Sequence, residues 1–342
     1  MKVAIVGGGG LVGSMAAFAL QCSGVASHLC LVDVNRDLAS GQATDLLHGT
    51  CLTADQRVTV GDLTEAATCQ VIVITAGLRR KPEESRLDLI NRNVDLFLEI
   101  LGNLRQAGLR EDSYLVVVSN PVDVLTWLAV KHSGLPWQRV IGLGTLLDTA
   151  RLRSYLARRL KVPASQVSAL VLGEHGDSMV AIWSSATIAG LPVGQWPECT
   201  PGLLQEVLEE TRAAGAALIR LKGGSGFAVG LCIRELVECL ILDRRRILPV
   251  STLLQGQYGL RDVCLSVATE VGCGGVRRQI EVPLPPKERL ALEHTARTLR
   301  ETIQQVEARL GKGVRPAALP QSPRVGQRSI PRSAWQPSLQ RR

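Results

Sequence analysis

The stretch that decides the fold is Lys2-Val3-Ala4-Ile5-Val6-Gly7-Gly8-Gly9-Gly10-Leu11-Val12-Gly13. A short apolar strand runs directly into a glycine-rich turn, and a helical pattern follows from Ser14 to Cys22. The spacing Gly8-x-Gly10-x-x-Gly13 is typical of a turn whose backbone approaches the pyrophosphate of a dinucleotide at a helix N-terminus. The pattern therefore predicts cofactor contacts at Gly8, Gly10, Leu11, Val12 and Gly13.

A carboxylate stands at the end of the second predicted strand. That strand runs from Leu29 to Val32 and is followed by Asp33, which lies 20 residues beyond Gly13. A carboxylate at this place accepts hydrogen bonds from both ribose hydroxyls of NAD and repels the 2′-phosphate of NADP. The sequence therefore predicts NAD as the cofactor and Asp33 as one of its ligands.

Strands and helices alternate through the first half of the chain. Further strands are predicted at 71–75, 114–118 and 140–141, and helical spacing lies between them, as at 87–104. Such alternation with short glycine-rich turns indicates a parallel sheet with helices on both faces. The prediction for residues 1–143 is therefore an α/β fold, a Rossmann-type doubly wound parallel sheet that binds NAD.

The pattern changes after residue 143. Long helical patterns and strands follow one another without regular alternation, which predicts an α+β substrate domain over residues 144–311. Helices are predicted at 149–160, 203–221, 227–242 and 287–310. Strands are predicted at 167–172, 247–253 and 263–268.

Residues 312–342 form a basic, proline-rich tail. The tail has seven Lys and Arg residues and no acidic one, so that only +1 of the net charge of +8 belongs to the rest of the chain. Low periodicity and high proline content predict disorder. Trp335 is its single aromatic residue, which is too few for the stacking by which proteins bind single-stranded nucleic acid. We therefore expect no nucleic-acid partner.

The bulk composition is that of a folded protein of the cytoplasm. Hydrophobic residues make up 46% of the chain and charged residues 20%. The apolar runs are strand-sized, which argues against a membrane span, and the first strand begins directly after Met1 without room for a leader peptide. The nine Cys residues form no C-x-x-C pair. They predict reduced, buried thiols and no metal site.

Two motifs in the second half carry groups for the reduction of a carbonyl. His175, in Gly173-Glu174-His175-Gly176-Asp177-Ser178, titrates near neutrality and is suited to donate a proton. Asp148 is predicted to hold the second ring nitrogen of that imidazole. Arg151 follows Asp148 by three residues, so both lie on one side of a helix, and its guanidinium suits a carboxylate. We therefore take His175 and Asp148 as catalytic and Arg151 as substrate-binding.

With these motifs the chain resembles the lactate/malate dehydrogenase family over residues 1 to about 310. The resemblance implies reversible hydride transfer between NADH and a small 2-oxo acid by an L-2-hydroxy-acid dehydrogenase, and a homodimer or homotetramer. It is carried by six motifs in order, namely the glycine turn, Thr75-Ala76-Gly77, Glu84-Ser85-Arg86-Leu87-Asp88-Leu89, Ser119-Asn120-Pro121-Val122-Asp123, Leu147-Asp148-Thr149-Ala150-Arg151 and the His175 motif.

The resemblance also assigns roles to individual residues. Arg86 corresponds to the catalytic arginine of a mobile loop that polarises the substrate carbonyl when the loop closes. Asn120 corresponds to the residue that hydrogen-bonds the substrate oxygen beside the nicotinamide, and Ser225 takes the place of a substrate-pocket Thr. Leu143 stands where the family commonly has Ser. The further cofactor contacts implied are Thr75, Ala76, Gly77, Val118, Ser119 and Asn120.

The specificity loop and the rest of the scaffold point to different substrates. Arg80, six residues before Arg86, matches the malate-type pattern of the family, in which an arginine meets a second substrate carboxylate. The sequence around Glu174 and Asp148 instead resembles bacterial lactate enzymes. Malate and oxaloacetate are therefore the favoured substrates, and lactate and pyruvate are the alternative.

Two other functions remain open at this level. One is an inactive NAD-binding protein that is recruited through its basic tail, although such a protein has no reason to retain His175, Asp148, Arg86, Arg151 and Asn120. The other is NAD-dependent glycoside hydrolysis, which needs metal ligands that the Cys and His spacings do not supply.

Overall fold

The computed structural model describes residues 1–79 and 83–311. Arg80, the predicted specificity residue, and the tail over residues 312–342 lie outside the described residues. The prediction that the tail is disordered therefore concerns residues outside the described part of the chain.

Six parallel strands form the first part of the sheet, in the order β3-β2-β1-β4-β5-β6. Their side chains are buried almost without interruption from β1 to β6, except in the edge strand β3, as expected for a parallel sheet covered on both faces. The strands are β1 (Lys2–Val6), β2 (His28–Val32), β3 (Arg57–Val60), β4 (Val71–Ile74), β5 (Tyr114–Val117) and β6 (Val140–Gly142).

The helices of this half connect successive strands and confirm the predicted doubly wound architecture. They are α1 (Leu11–Ser23), α2 (Arg36–Gly49), α3 (Leu63–Ala67), α4 (Arg86–Gln106) and α5 (Val122–His132). The two helices predicted with bounds begin and end within three residues of α1 and α4, whereas α2, α3 and α5 lie in segments for which helical spacing is predicted without bounds. Helix α5 is buried over its first eight residues on every side, so its sequence carries no amphipathic period to reveal it.

The strand order reverses between β1 and β4, and this opens a crevice at the carboxyl ends of the strands. The amides of Thr75 and Ala76, after β4, both bond to the carbonyl of Val6 at the end of β1. The amides of Gly7 and Gly8 bond to Val32 at the end of β2. The glycine turn is thereby fixed at the mouth of the crevice.

The second half contributes four long helices and eight strands. The helices are α6 (Leu146–Leu160), α7 (Pro201–Lys222), α8 (Phe227–Leu242) and α9 (Pro286–Gly311). The short strands are β7 (Val167–Ser168), β8 (Val171–Leu172), β9 (Val180–Ala181), β10 (Thr187–Ile188) and β11 (Leu191–Pro192). The long strands are β12 (Arg246–Gln255), β13 (Arg261–Gly272) and β14 (Gly275–Ile280).

The three long strands extend the first sheet. They form an antiparallel meander that joins β6 through Ser251 and Gly142, which gives nine strands in the order β14-β13-β12-β6-β5-β4-β1-β2-β3. A side chain at Gly142 would clash with Thr126 and Ser251, so glycine is what allows this approach. The two predicted halves therefore share one sheet.

The predicted strand at 167–172 is wrong in its continuity. Residues 167–168 (β7) pair with β10, whereas residues 171–172 (β8) pair with β9 in another sheet. Ala169 and Leu170 lie between the two strands and pair in neither sheet. Directly after β8, Gly173 pairs with Ser266 of β13.

Two apolar layers cover the sheet. One layer contains side chains of α4, α5 and α9, and the other contains side chains of α1, α2 and α8. Helix α8 can cross α1 closely because Gly230 has no side chain. A Cβ at this position would lie 2.6 Å from the carbonyl oxygen of Met15. This crossing sets α8 against the helix that follows the glycine turn. Among the described residues, no helix has the length and apolar character needed to cross a membrane.

Candidate active site

The glycine turn leads into the start of α1. Gly10 precedes the helix and no side chain caps it, so the first amides of α1 have neither a helical nor a side-chain partner. Such amides and the helix dipole bind a phosphate group. A Cβ at Gly13 would collide with the carbonyl of Gly7, which explains why the third glycine of the fingerprint is required.

Within the glycine turn, the residue with a left-handed backbone conformation is Gly7, which is not one of the three glycines of the fingerprint. Gly7 has φ of 91° and lines the cavity described below. Gly8 instead lies against β2, because a Cβ there would be 2.9 Å from that of Leu31. Each of the four consecutive glycines can adopt a left-handed φ, so the sequence alone did not show which of them does.

Asp33 lies beside the glycine turn, half-buried at the tip of β2. Its Oδ2 accepts a hydrogen bond from the amide of Gly9 at 3.0 Å, and its Oδ1 accepts one from the amide of Asn35 at 3.0 Å. These contacts fix the carboxylate at the rim of the crevice. The charge is thus placed beside the turn, although Asp33 is not part of the cavity wall.

A cavity of about 360 Å³ opens between the glycine turn and the second half of the chain. Eleven of the predicted site residues line it, namely Gly10, Leu11, Val12, Gly13, Thr75, Gly77, Val118, Asn120, Arg151, His175 and Ser225. Of the other described candidates, Gly8, Asp33, Ala76, Ser119, Asp148 and Arg86 do not line it. Lining residues that sequence reasoning did not assign include Gly7, Arg79, Val122, Leu147, Gly215 and Ile219.

Asp148 joins His175 to Arg151 at the wall of this cavity. Its side chain is fully buried near the start of α6, with Oδ2 lying 2.5 Å from Nδ1 of His175 and Oδ1 lying 3.1 Å from Nη1 of Arg151. An ionised carboxylate only accepts hydrogen bonds, so Nδ1 carries the proton and Nε2 is left for a ligand. The predicted partnership of these three residues is therefore present in the structure.

The electrostatics favour the charged form of His175. Burial lowers the pKa of its imidazole, but the charge and hydrogen bond of Asp148 and the charge of Asp123 raise it, against an opposing effect of Arg151. The net result is a pKa above the ordinary value of 6.5. The imidazolium form, which can donate a proton, is therefore favoured relative to that of a free histidine.

The loop that carries His175 is anchored on both sides. Gly173, with φ of 90°, exchanges two backbone hydrogen bonds with Ser266 of β13, at 2.8 and 2.9 Å. Thr295 of α9 accepts a hydrogen bond from the amide of Glu174 and also contacts the hydroxyl of Ser178. These contacts explain why the ring of His175 has one defined position over the cavity.

Asp123 is a neighbour of His175 to which the sequence assigned no role. It lies in the first turn of α5, is buried, and accepts a hydrogen bond from the amide of His175 at 2.8 Å. The signal that could have revealed it is an acidic residue in a helical first turn directly after the candidate Asn120. Nothing in the local pattern showed that this turn meets the His175 loop.

Arg86 is not brought together with His175. It begins α4, its side chain is 70% exposed, and its guanidinium lies 3.4 Å from Asp177 and 3.9 Å from Glu174. The resemblance placed it over the substrate in a closed loop. The structure shows it outside the cavity, beside two carboxylates of the His175 motif, Glu174 and Asp177.

The remaining predicted contacts follow strands β4 and β5 or the end of α7. Asn120 comes after β5 and its Oδ1 accepts the amide of Val122 at 3.3 Å, while Ser225 follows the glycines that end α7. The hydroxyl of Ser119 instead donates to the carbonyls of Ile74 and Ala76, which ties the two strand ends together. Leu143, at the family's usual Ser position, places an apolar side chain on the cavity wall.

Metal ligands are lacking in the part of the chain that the structure describes. Over residues 1–79 and 83–311, no group of three or more His, Cys, Asp and Glu side chains could hold a metal ion. The buried thiols are kept protonated, since burial raises the pKa of Cys30 to about 12 and that of Cys69 to about 11.

Comparisons with known proteins match both halves of the chain. A family model described as lactate/malate dehydrogenase, NAD binding domain matches residues 1–142, and one described as lactate/malate dehydrogenase, alpha/beta C-terminal domain matches residues 145–310. The chain is 41% identical over 307 residues to an L-lactate dehydrogenase of Synechococcus sp. (strain JA-3-3Ab), covering 90% of this chain and 99% of that enzyme.

Two solved structures give the same relationship. The minor L-lactate dehydrogenase of Enterococcus mundtii superposes with a TM-score of 0.85 at 34% identity, covering 89% of this chain and 98% of that chain. The malate dehydrogenase of Salinibacter ruber superposes with a TM-score of 0.85 at 32% identity, covering 92% and 100% of the two chains. The architecture is thus similar to that of enzymes named for either substrate.

Proposed function

The chain belongs to the lactate/malate dehydrogenase family, and on that premise we propose that it reduces oxaloacetate reversibly to L-malate with NADH. The observation that carries the chemistry is the position of Asp148, which holds the ring of His175 on one oxygen and the guanidinium of Arg151 on the other. One buried carboxylate thereby orients a proton donor and a carboxylate-binding group towards the same cavity.

NAD is the cofactor of this family, and the residues present fit it. The uncapped start of α1 provides amides for the pyrophosphate, the absence of a side chain at Gly13 leaves the turn tight, and Asp33 supplies a ribose acceptor. Bound NADH supplies the hydride that the carbonyl carbon of the substrate receives. The proton and the orientation of the substrate come from the protein.

His175 supplies the proton in the direction of reduction. Its imidazolium donates from Nε2 to the substrate oxygen as that oxygen becomes an alkoxide, and Asp148 stabilises the charged ring until the transfer. In the direction of oxidation the neutral ring accepts the hydroxyl proton at the same atom. Asn120, on the cavity wall, carries an amide that is suited to donate a second hydrogen bond to this oxygen.

Arg151 holds the substrate carboxylate. Its side chain is 13% exposed and uses one nitrogen for Asp148, which leaves other guanidinium donors for a ligand in the cavity. Binding the carboxylate at a fixed distance from His175 orients the carbonyl carbon for hydride transfer.

The substrate preference rests on Arg80. An arginine enclosed with the substrate requires a second carboxylate, which oxaloacetate provides and the methyl group of pyruvate does not. The family resemblance places Arg80 at the position that faces the third carbon of the substrate. These two considerations favour oxaloacetate.

Pyruvate is the second candidate because the relative from Synechococcus, at 41% identity, is named an L-lactate dehydrogenase. Identity over the whole chain reflects ancestry as well as specificity. The residue that meets the variable end of the substrate is a more direct indicator, and for this reason oxaloacetate is placed first.

The experiment that separates the two substrates measures the oxidation of NADH and compares kcat/KM for oxaloacetate with kcat/KM for pyruvate. We expect a preference for oxaloacetate that Arg80→Gln reduces by about 10²-fold or more, because the second carboxylate of oxaloacetate loses its positively charged partner. Lys81→Gln removes the same charge from the adjacent position and should leave the preference within about threefold. A preference for pyruvate in the unmodified protein would make it a lactate dehydrogenase, and no turnover of either acid would overturn the assignment.

The oligomeric state, the cellular location and the domain boundary are also proposed from the family to which the chain belongs. We expect a homodimer or homotetramer in the cytoplasm, with the NAD-binding domain ending at residue 143 and the catalytic domain at residue 311. Light scattering on the purified full-length chain tests the assembly. A monomer at micromolar concentration would contradict it.

A further inference from the structure

We propose that Asp123 is a positioning residue for His175, which holds the main chain of the His175 loop and stabilises the imidazolium through its negative charge. This inference rests on the proposed function, because it gives Asp123 a part in the donation of a proton to a 2-oxo acid. His175 then has two carboxylate partners, Asp148 at its ring and Asp123 at its main chain.

The contact joins the two halves of the chain. Asp123 lies in the first turn of α5, which follows β5 in the NAD-binding half, and it is 2% exposed. Its Oδ2 accepts the amide of His175 at 2.8 Å. Asp148, in the second half, holds the ring of the same residue through Nδ1. His175 is thus fixed at two points, its main chain by one carboxylate and its ring by another.

The second oxygen of Asp123 faces the hydroxyl of Ser251 on β12, which lowers the pKa of the carboxyl by hydrogen bonding. Neither atom has another hydrogen-bond partner among the described residues. An asparagine would accept the same His175 amide at 2.8 Å and present its NH₂ to Ser251. The difference between the two side chains at this place is therefore the negative charge.

The charges around the pair favour protonation of His175. Burial raises the pKa of Asp123 to about 6, with Glu174 adding to the rise while Ser251 and His175 oppose it, so the carboxylate is ionised above that pH. Arg151 and Asp148 face His175 from α6, and Cys264 faces Asp123 from β13 with a thiol that burial keeps neutral. Among the charges that act on His175, the two carboxylates Asp148 and Asp123 therefore oppose the single positive charge of Arg151 and favour the imidazolium.

The test is the titration of His175 in Asp123→Asn. The full-length chain is labelled with ¹³C-histidine, the His175 signal is identified by its loss in His175→Gln, and its pKa is measured by NMR. We expect the pKa of His175 to fall by about half to one unit, because a nearby negative charge has been removed while the hydrogen bond remains. The pH profile of kcat/KM for reduction should shift to lower pH by the same amount, while the value of kcat/KM on the low-pH plateau stays the same.

Asp62→Asn provides the matched control. Asp62 caps α3 through the amides of Thr64 and Glu65, a role that Asn also fills, and it is not among the groups that act on His175. Its substitution should leave the pKa of His175 unchanged.

An unchanged pKa of His175 in Asp123→Asn, with activity reduced equally at every pH, would overturn the proposal and leave Asp123 a purely structural residue. Should Asp123→Asn fail to fold, Ser251→Ala gives a second measurement. Ser251 lowers the pKa of Asp123, so its removal protonates the carboxylate at higher pH and should lower the pKa of His175; no change there would also overturn the proposal. Absence of turnover in the unmodified protein would count against the proposed function, whereas the titration would still decide the role of Asp123.

Discussion

Nδ1 of His175 lies 2.5 Å from Oδ2 of Asp148, a carboxylate with no exposed surface. The two residues are 27 positions apart and are delivered by different elements, the first turn of α6 and the loop after β8. Because the carboxylate is removed from water, its attraction for a charged ring is weakly screened. This geometry determines the protonation state on which the proposed reaction depends.

Replacing Asp148 by Asn should impair reduction severely. Asn removes the charge that raises the pKa of His175 and permits the wrong ring tautomer, so kcat/KM at pH 7 should fall by about 10²- to 10⁴-fold. NADH oxidation with saturating cofactor measures this. Asp95→Asn, which breaks a pair with Arg309 in another part of the molecule, controls for the loss of a carboxylate. A loss of less than threefold in Asp148→Asn would contradict the assigned role.

The two directions of the reaction should have opposite pH dependence. Reduction needs the imidazolium, whose pKa is raised above 6.5 by Asp148 and Asp123 although burial opposes them. The kcat/KM of reduction should therefore be highest below that raised pKa and decline as the pH rises through it. The kcat/KM of oxidation should increase over the same range. Parallel curves for both directions would exclude His175 as the group that titrates.

Gly13→Ala should disrupt the cofactor turn, because the new Cβ would collide with the carbonyl of Gly7. We expect the Kd for NADH, measured by fluorescence, to rise at least about tenfold as the backbone shifts away from the pyrophosphate position. Gly41→Ala in α2 is the matched control, because nothing lies within 4 Å of its Cβ position. It should leave the Kd unchanged, and an equal effect of both substitutions would argue against steric contact as the cause.

Asp33→Asn should relax the preference for NADH over NADPH. The amide oxygen can still accept the amide of Gly9, which Oδ2 of Asp33 accepts at 3.0 Å, so the turn is preserved. The negative charge that repels a 2′-phosphate is removed, and the ratio of kcat/KM for the two cofactors should fall by about tenfold. Asp37→Asn, in the first turn of α2, is a nearby control. An unaltered ratio would mean that Asp33 does not meet the ribose.

Gly215→Ala should stabilise the protein and at the same time narrow the range of 2-oxo acids that it reduces. Gly215 lies within α7 on the cavity wall, where a Cβ would be 4.0 Å from Nη1 of Arg151, an ordinary contact. Alanine should stabilise the helix by up to about 1 kcal/mol. It should also lower kcat/KM for 2-oxo acids with bulky side chains more than for pyruvate, since it narrows the space beside Arg151.

Gly102→Ala in α4 is the matched control for this effect, because nothing lies within 4 Å of its Cβ position. It should raise the melting temperature without altering the ratio of substrates. If Gly215→Ala reduced activity equally for small and bulky acids, the cavity wall at this residue would not set substrate size.

Local pattern sufficed for the elements whose contacts are close in sequence. The strand, turn and helix over residues 2–23 follow from an apolar run, glycines and helical periodicity, and Asp148 and Arg151 meet because residues three apart share a helix face. The bounds of α5 were not predicted, since its first eight residues are buried on all sides. The strand predicted at 167–172 was wrong because its two ends pair in different sheets.

The sequence by itself determined the cofactor turn, the doubly wound sheet and the identity of the groups that can donate a proton and bind a carboxylate. Only the tertiary structure decided that β12 joins β6 through Gly142, that Asp123 reaches the amide of His175, and that Arg86 lies outside the cavity beside Asp177. The physical reason is the range of the interactions. Periodicity and turn chemistry act within a few residues, whereas these contacts join segments about 50 to 110 residues apart, and such contacts leave no local trace in the chain.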